Sequence, residues 1–120
     1  DHFPVIMMFR SKEDPLKSPA NGLFSEDIGS GETVFQGECG KQIRCEHAPF
    51  TCYGCNKFIP CFDADHEVNL KIVEKEIEDF SSAGQPYKVM VDRWTRVKYE
   101  IQMVISACNL HQVKMQEGAL

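Results

Sequence analysis

The densest group of metal-binding side chains in this chain lies between residues 39 and 55, where four of its six cysteines occur: Cys39, Cys45, Cys52 and Cys55. Cys52 and Cys55 form a C-x-x-C pair, and Gly54 between them predicts a sharp turn that lets both sulfurs bind one ion. Cys39 and Cys45 form a second pair with a wider spacing. Two pairs are a usual way to supply Zn²⁺ with four thiolates in a tetrahedron. The spacing therefore predicts a closed, structural zinc site.

Two other uses of an even number of cysteines compete with zinc. A disulfide framework is typical of oxidising compartments, but the first apolar run covers only residues 4–9, too short for a secretory or membrane segment. A thioredoxin-like redox pair would need a preceding strand and a βαβ context, which the sequence does not indicate. We therefore expect reduced thiols, bound zinc, a cytoplasmic location and no membrane segment.

Length and charge limit the class of protein. The chain has 120 residues, enough for one small domain whose fold a bound metal would stabilise. Its net charge is −5, from 18 acidic against 13 basic residues. Nucleic-acid-binding domains usually show a basic footprint. The acidic excess argues against a broadly DNA-binding surface, although a local basic patch is compatible with it.

Three zones follow one another along the chain. Residues 1–33 combine the apolar run with a Pro-, Gly- and Ser-rich stretch over 10–33, which predicts a linker or loop. Residues 34–63 form the cysteine-rich zinc-binding loop, entered by a short strand at 34–37, and residues 64–120 predict a helical hairpin. We expect 34–120 to fold as one small, mainly α-helical α+β unit, with the zinc loop and short strands packed on two antiparallel helices.

Hydrophobic periodicity defines the two helices. The first follows the N-cap candidates Asp63 and Asp65 and ends near residues 81–84, and the second begins at Pro86. On each helix, one face carries residues at alternating spacings of four and three: His66, Leu70, Val73, Ile77 and Phe80 on the first, and Met90, Trp94, Val97, Ile101, Val104, Cys108 and His111 on the second. The second helix is longer, so its C-terminal end should overshoot towards the cysteine-rich loop.

Several other side chains are alternative zinc ligands. His66 and Cys108 could each replace a member of the looser cysteine pair, and His47 is a further spare donor for which we expect a solvent-facing role. A histidine near a helix start usually makes a local hydrogen bond. A cysteine on an apolar face is usually a small buried hydrophobe. We expect the same buried role for Cys61, and His111 is expected to fill the helix seam or surface.

No pattern in the sequence indicates catalysis. A hydrolytic zinc keeps one coordination position open and has a general base nearby, whereas four thiolates leave no open position. The zinc deaminase pattern needs H-x-E followed by P-C-x-x-C, but Pro49 stands three positions before Cys52, and His66 and Glu67 are adjacent. No nucleophile elbow, P-loop or dinucleotide fingerprint occurs. We expect no enzymatic activity from the isolated chain.

The residues around the cysteines resemble those of a known family. The pattern G-E-C-G at 37–40, the lone Cys45, P-F-T-C-Y-G-C-N-K-F-I-P at 49–60 and D-H-E at 65–67 are similar to the C-terminal extension of tyrosine recombinases, the phage-integrase-like enzymes of mobile elements. In that group a long helix with an apolar, cysteine-containing stretch follows, like residues 104–108. The resemblance covers about residues 34–110. It implies a zinc-binding accessory domain that acts in DNA integration.

The same resemblance implies that the catalytic domain precedes this chain. Tyrosine recombinases cut DNA with a tyrosine nucleophile, assisted by arginines and a downstream His-x-x-Arg motif. In this chain no histidine is followed by an arginine three residues later. The tyrosines are therefore assigned no recombinase chemistry: Tyr53 is expected to pack beside the zinc loop, and Tyr99 to lie on the surface of the second helix.

Two classes of function follow. In the first, the chain is an accessory module of a DNA recombinase that either contacts DNA or holds the catalytic domain and neighbouring protomers together, as a homo-oligomer. DNA contact would use basic residues of the loop and the second helix: Lys41, Arg44, Lys57, Arg93 and Arg96. The acids Asp92 and Glu100 interrupt that cluster, and the net charge favours protein contact. In the second class, the chain is a free-standing zinc-binding adaptor or regulator without affinity for DNA.

Overall fold

Two long helices and a small antiparallel sheet make up the described part of the chain. A computed structural model describes residues 8–14, 22–39, 50–55, 57–83 and 88–118. The sheet has three strands in the order β1 (Gly22–Glu26), β2 (Thr33–Cys39) and β3 (Phe58–Pro60). A 3-10 helix spans Phe50–Gly54, and the two helices are α1 (Glu67–Ala83) and α2 (Lys88–Gly118). The predicted small α+β class is confirmed.

The two helices pack antiparallel, as the short connection predicts. Glu74, in the middle of α1, pairs with Lys98 of α2 at 3.3 Å. The start of α1 lies instead beside the C-terminal half of α2, where His66 lines a cavity together with Ile105 and Cys108. The predicted inner face of α2 is confirmed by burial of Val97, Ile101, Val104 and Cys108. In the described residues, neither helix has the length and apolarity needed to cross a membrane.

The C-terminal end of α2 overshoots the start of α1. The ring of His111 stacks on Phe9, with centroids 4.3 Å apart, and meets Phe62 edge to face at 4.9 Å. Cys108 belongs to the same buried cluster as Cys52 and Tyr53. Residues 113–118 then continue as exposed helix. The overshoot therefore brings α2 against both the cysteine region and the segment that precedes β1.

The structure differs from the linker predicted over residues 10–33. Residues 22–26 form β1, which pairs antiparallel with β2 from Gly22 opposite Glu38 to Glu26 opposite Thr33. Leu23 and Ser25 are buried, with the period of two that a half-buried strand requires. The boundary placed between residues 33 and 34 thus lies within the β1–β2 pair, and β1 belongs to the same folded unit as β2.

Residues 8–14 also join the fold. The Arg10 N–H donates to the Pro60 carbonyl at 3.1 Å, and the Arg10 carbonyl accepts from the Phe62 N–H at 2.9 Å. These two bonds add a single parallel bridge to the outer edge of β3. Of the predicted apolar run at 4–9, Phe9 packs on His111. Residues 4–7 lie outside the described part.

A buried ion pair fastens this segment to the sheet. The Arg10 guanidinium lies 2.5 Å from Glu38 Oε1, and each side chain is only 7 % exposed. Arg10 also donates to the carbonyls of Ser11 and Asp14, and its guanidinium lies over the Phe35 ring at 4.8 Å. A buried pair needs such additional partners to offset the cost of removing two charges from water. Residues 8–14 therefore pack, through Arg10, on the face of the sheet that carries Glu38 and Phe35.

We expect Gly37→Ala to lower the free energy of unfolding by about 2 kcal/mol or more. An added Cβ would lie 2.5 Å from the Ile59 carbonyl oxygen and 3.1 Å from Pro60 Cα, at a φ of 155° that L residues rarely adopt. Because these atoms belong to the backbone of a paired strand, they cannot rotate away. Urea unfolding followed by circular dichroism measures the change.

Gly29→Ala is the matched control, because its Cβ would meet only Asp27 Oδ1, at 3.6 Å. We expect that variant to unfold at nearly the same urea concentration as the original chain. Equal stabilities for the two variants would contradict the close approach of β2 and β3.

Candidate metal centre and the buried relay beside it

The C-x-x-C pair closes the end of the 3-10 helix. The Cys55 N–H donates to the Cys52 carbonyl at 2.9 Å, and the Phe58 N–H donates to the Cys55 carbonyl at 3.3 Å. The Lys57 N–H donates to Cys55 Sγ at 3.4 Å. The turn therefore places the Cys55 sulfur next to a backbone N–H just after the 3-10 helix.

Cys39 lies at the same end of the sheet as this turn. It is the last residue of β2 and pairs with Phe58, the residue that also hydrogen-bonds to Cys55. Cys39, Cys52 and Cys55 form no disulfide in the structure. Sheet register thus places Cys39 at the same end of the fold as the C-x-x-C turn. The fourth predicted ligand, Cys45, lies outside the described residues.

The donor set suits zinc in chemical type. Three reduced cysteines belong to neighbouring elements, and thiolates are preferred ligands of a structural Zn²⁺. Within the part of the chain that the structure describes, no three His, Cys, Asp or Glu side chains are close enough to hold a metal ion. Zinc at Cys39, Cys45, Cys52 and Cys55 therefore stays a prediction, since one member of the set is not described.

Gly54 lies in the turn between Cys52 and Cys55, at the point where α2 packs against that turn. It lies in the 3-10 helix and is not among the residues with positive φ. A Cβ at Gly54 would instead clash with the Glu100 carboxylate of α2. That carboxylate is mostly buried and pairs with Arg96 at 3.6 Å. An alanine at this position would therefore require the flexible end of the Glu100 side chain to move.

Both ring nitrogens of His66, the first alternative ligand, have hydrogen-bond partners. Nδ1 lies 2.7 Å from the Tyr53 hydroxyl oxygen, and Nε2 lies 2.8 Å from the Cys61 carbonyl oxygen. Since a carbonyl can only accept, Nε2 carries the proton and Nδ1 accepts from the Tyr53 hydroxyl. In this arrangement neither nitrogen is open to a metal.

Cys108, the second alternative ligand, and Cys61 are protonated thiols. Burial raises the pKa of Cys108 to about 12. Burial, assisted by the Asp63 carboxylate, raises the pKa of Cys61 to about 12, and its thiol donates to Asp63 Oδ1 at 2.9 Å. In the absence of a metal, both side chains are therefore small, neutral buried groups at neutral pH.

The hydrogen bonds of His66 continue through the core. The Asn69 side-chain amide donates to the Tyr53 hydroxyl at 2.6 Å, and the Ser25 hydroxyl donates to Asn69 Oδ1. These four side chains, here named the buried relay, are each 8 % exposed or less. The relay connects β1, the 3-10 helix and the start of α1. Because the Cys61 carbonyl fixes the proton on His66, the direction of every donor in the relay is fixed.

Burial also sets the charge state of the relay. Desolvation lowers the pKa of His66 below its ordinary value of 6.5 and raises the pKa of Tyr53 above its ordinary value of 10. Both groups are therefore neutral in the fold. Unfolded His66 binds a proton near pH 6.5, so the unfolded chain takes up more protons just below that pH. The relay's contribution to stability is complete above pH 6.5 and is lost as the pH falls towards the folded pKa.

No pattern in the sequence indicates the relay. Asn69 lies off the predicted apolar seam of α1, and its partners Tyr53 and Ser25 are 16 and 44 residues away in sequence. No local pattern connects residues at such distances. In the sequence, Asn69 is only a polar residue between Val68 and Leu70 in the first turn of a predicted helix. Such a residue occurs in many helices and does not indicate a buried hydrogen bond.

Three of the five residues predicted to contact DNA lie in the described part of the chain. Lys41 and Arg44 lie outside the described residues. Lys57, Arg93 and Arg96 are exposed, but the Arg96 guanidinium pairs with a glutamate one turn further along α2. The structure therefore leaves the described cations on different elements, Lys57 beside the turn and the arginines on α2.

Comparisons with protein-family models, with curated proteins and with solved structures found no match for this chain.

We expect Tyr53→Phe to lower the free energy of unfolding by about 2–4 kcal/mol. Loss of the hydroxyl leaves two buried groups without a partner, His66 Nδ1 and the Asn69 amide, and each costs about 1–3 kcal/mol. Chemical unfolding at pH 7.5, where His66 is neutral in both states, measures the loss. Tyr99→Phe is the matched control on the exposed surface of α2, with an expected change within about 0.5 kcal/mol. Equal effects of the two variants would contradict the relay.

Proposed function

We propose that this chain is a zinc-stabilised, non-catalytic accessory module of a site-specific DNA recombinase, and that it joins neighbouring protomers during DNA integration. The link to recombinases is supported by the residue pattern over about 34–110. The assembly role is supported by the exposed apolar face of α2. The module would act by organising the protein complex, while the preceding catalytic domain would carry out DNA cleavage.

Zinc would be held by Cys39, Cys45, Cys52 and Cys55. Bound there, it would join the end of β2 and the following loop to the turn after the 3-10 helix. The binding free energy of a structural zinc contributes directly to folding, on the order of 10 kcal/mol in small domains. Since four thiolates fill the tetrahedron, the metal would stabilise the fold and would not bind a substrate.

The observation that carries the assembly role is the outer face of α2. Met103, Leu110 and Val113 are 39 %, 55 % and 48 % exposed, and their spacings of seven and three place them on one side of the helix. Ile101 and Cys108 lie buried on the opposite side. Within the described part of the chain this second side stays exposed, and contact with another molecule would bury it. We assign a second copy of this chain as the occupant, since a homo-oligomer would pair this face with itself.

The charges on α2 favour protein contact over DNA contact. Its cations pair within the chain at three places: Lys88 with Asp92 at 3.8 Å, Arg96 with Glu100 at 3.6 Å and Lys98 with Glu74 at 3.3 Å. DNA affinity depends on cations that neutralise phosphates. Because three of the five cations of α2 already face carboxylates, the helix offers less positive charge to a phosphate backbone.

We expect one zinc per wild-type chain and none in Cys55→Ser, which should also be largely unfolded. Native and denaturing mass spectrometry, together with a count of reactive thiols, measures both properties. Cys108→Ala should keep its zinc, because Cys108 is a protonated thiol in the apolar core. A folded wild-type chain without metal, or zinc loss in the Cys108 variant alone, would contradict the predicted ligand set.

We expect the wild-type protein to sediment as a dimer or larger oligomer at about 10 μM, the concentration range in which a modest interface forms, and Leu110→Glu to be monomeric. The carboxylate would lie in the apolar face that self-association buries. Sedimentation velocity measures the states. Ser82→Glu is the control, with the same new charge at an exposed position of α1, and it should not change the oligomer.

A monomeric wild-type protein would contradict the assembly role. Binding to duplex DNA more tightly than the non-specific range of about 10⁻⁴ to 10⁻⁶ M at physiological salt would favour DNA contact instead. The recombinase assignment itself is checked by sequencing upstream of the coding region. A catalytic domain with a tyrosine nucleophile is expected there in the same reading frame, and an unrelated gene would contradict the assignment.

A further inference from the structure

The exposed apolar side of α2 has the spacing of a two-helix seam. Five positions follow one another at alternating intervals of four and three residues, and all five are exposed: Tyr99, Met103, Ser106, Leu110 and Val113. Such a repeat keeps one side of a helix turned towards a second helix along its length. Ile101, Val104 and Cys108 are buried on the opposite side. The seam therefore has the pattern of a helix contact on the side of α2 that faces away from the core.

Two charged residues continue the repeat towards the start of α2. Arg96 and Asp92 stand three and seven residues before Tyr99, and both are exposed. Two copies paired in parallel and in register would set Arg96 against Arg96 and Asp92 against Asp92. The ion pairs of these residues within the chain weaken the repulsion, but like charges in facing positions still disfavour such a pairing. The charged positions therefore argue against a parallel pair.

An antiparallel pair centred on position 108 avoids these contacts. Each seam residue of one copy then faces the alternate kind of seam position on the other, so that Met103 faces Val113 and Ser106 faces Leu110. Each contact occurs twice, because a two-fold axis relates the copies and both use the same surface. The two charged positions no longer face their own counterparts.

The small side chain in the middle of the seam supports the same orientation. A parallel pair would place two Ser106 side chains opposite each other, which leaves this layer thinly packed. In the antiparallel pair each Ser106 faces a Leu110, and small residues opposite large ones let two surfaces interdigitate.

The residues beside the seam are also complementary in the antiparallel pair. On one flank Gln102 would face Gln116, and Asn109 would face its own counterpart, all from exposed positions. Side-chain amides can pair in this way because each both donates and accepts. On the other flank Lys114 would lie opposite Glu100 of the second copy, a charge of opposite sign. The surface is therefore complementary to itself in one orientation.

We propose that two copies of this chain pair through α2 as a short antiparallel coiled coil, with Met103 of each copy against Val113 of the other. This inference rests on the assembly role proposed above and adds to it the orientation of the partner. Because each copy uses its single seam once, the two-fold contact is closed and association ends at a dimer.

Charge exchange between two facing positions distinguishes the two orientations. The double variant Met103→Glu, Val113→Lys sets glutamate opposite lysine in an antiparallel pair, but sets each charge opposite itself in a parallel pair. The double variant Met103→Glu, Val113→Glu has like charges facing in both. We expect the first to self-associate at least about tenfold more tightly than the second at low salt. Sedimentation equilibrium measures both, after circular dichroism has shown that each variant is folded.

A mixture of Met103→Glu, Val113→Glu with Met103→Lys, Val113→Lys is the control, because opposite charges then meet whichever way the helices run. If this mixture associates while the two glutamate-containing variants self-associate equally weakly, the antiparallel orientation is overturned and the assembly role stands. If neither the mixture nor the wild-type chain associates, the assembly role fails, and the inference fails with it.

Thiol mapping gives a second measurement that keeps the seam largely apolar. In the double variant Met103→Cys, Val113→Cys, mild oxidation should join position 103 of one copy to position 113 of the other, as identified by mass spectrometry of the cleaved protein. A disulfide needs Cα atoms within about 7 Å, whereas these positions are about 15 Å apart along one helix, so the link reports on the pair. Links from 103 to 103 and from 113 to 113 would show a parallel pair and overturn the inference.

Discussion

The hydrogen bond between Tyr53 and His66 is the contact on which the described fold most depends. It joins the turn that carries Cys52 to the residue that precedes α1, and both groups are buried. In a low-dielectric interior such a bond is strong when complete and costly when broken. The turn is thus held by the core as well as by any metal. Zinc would bind to a backbone that Tyr53 has already fixed against α1.

The two faces of the sheet have different neighbours. One face meets the helices through Leu23 and Ser25 of β1, and Ser25 ends the relay. The other receives Arg10, whose ion pair with Glu38 is as deeply buried as the relay. Apolar packing supplies most of the stability in such a small unit, whereas these directional polar contacts select one register and one orientation.

The sequence predicted well what depends on local periodicity and poorly what depends on contacts between distant residues. The inner face of α2, from Val97 to Cys108, follows from spacing alone, and so does the overshoot that reaches Phe9. β1 was missed because five residues within a Gly- and Ser-rich stretch carry little pattern. The contact between Gly54 and Glu100 could not be predicted, because the two residues are remote in sequence.

The parallel bridge at Arg10 covers the outer edge of β3. β3 is an edge strand of three residues, and an uncovered edge offers its N–H and C=O groups to any passing strand. Here the Pro60 carbonyl is already bonded to Arg10, and proline has no N–H to offer. Strand addition and the fibrous growth that it seeds are therefore blocked on this side. A molecule that approaches this side of the sheet therefore meets side chains and proline, without an open row of backbone groups to pair with.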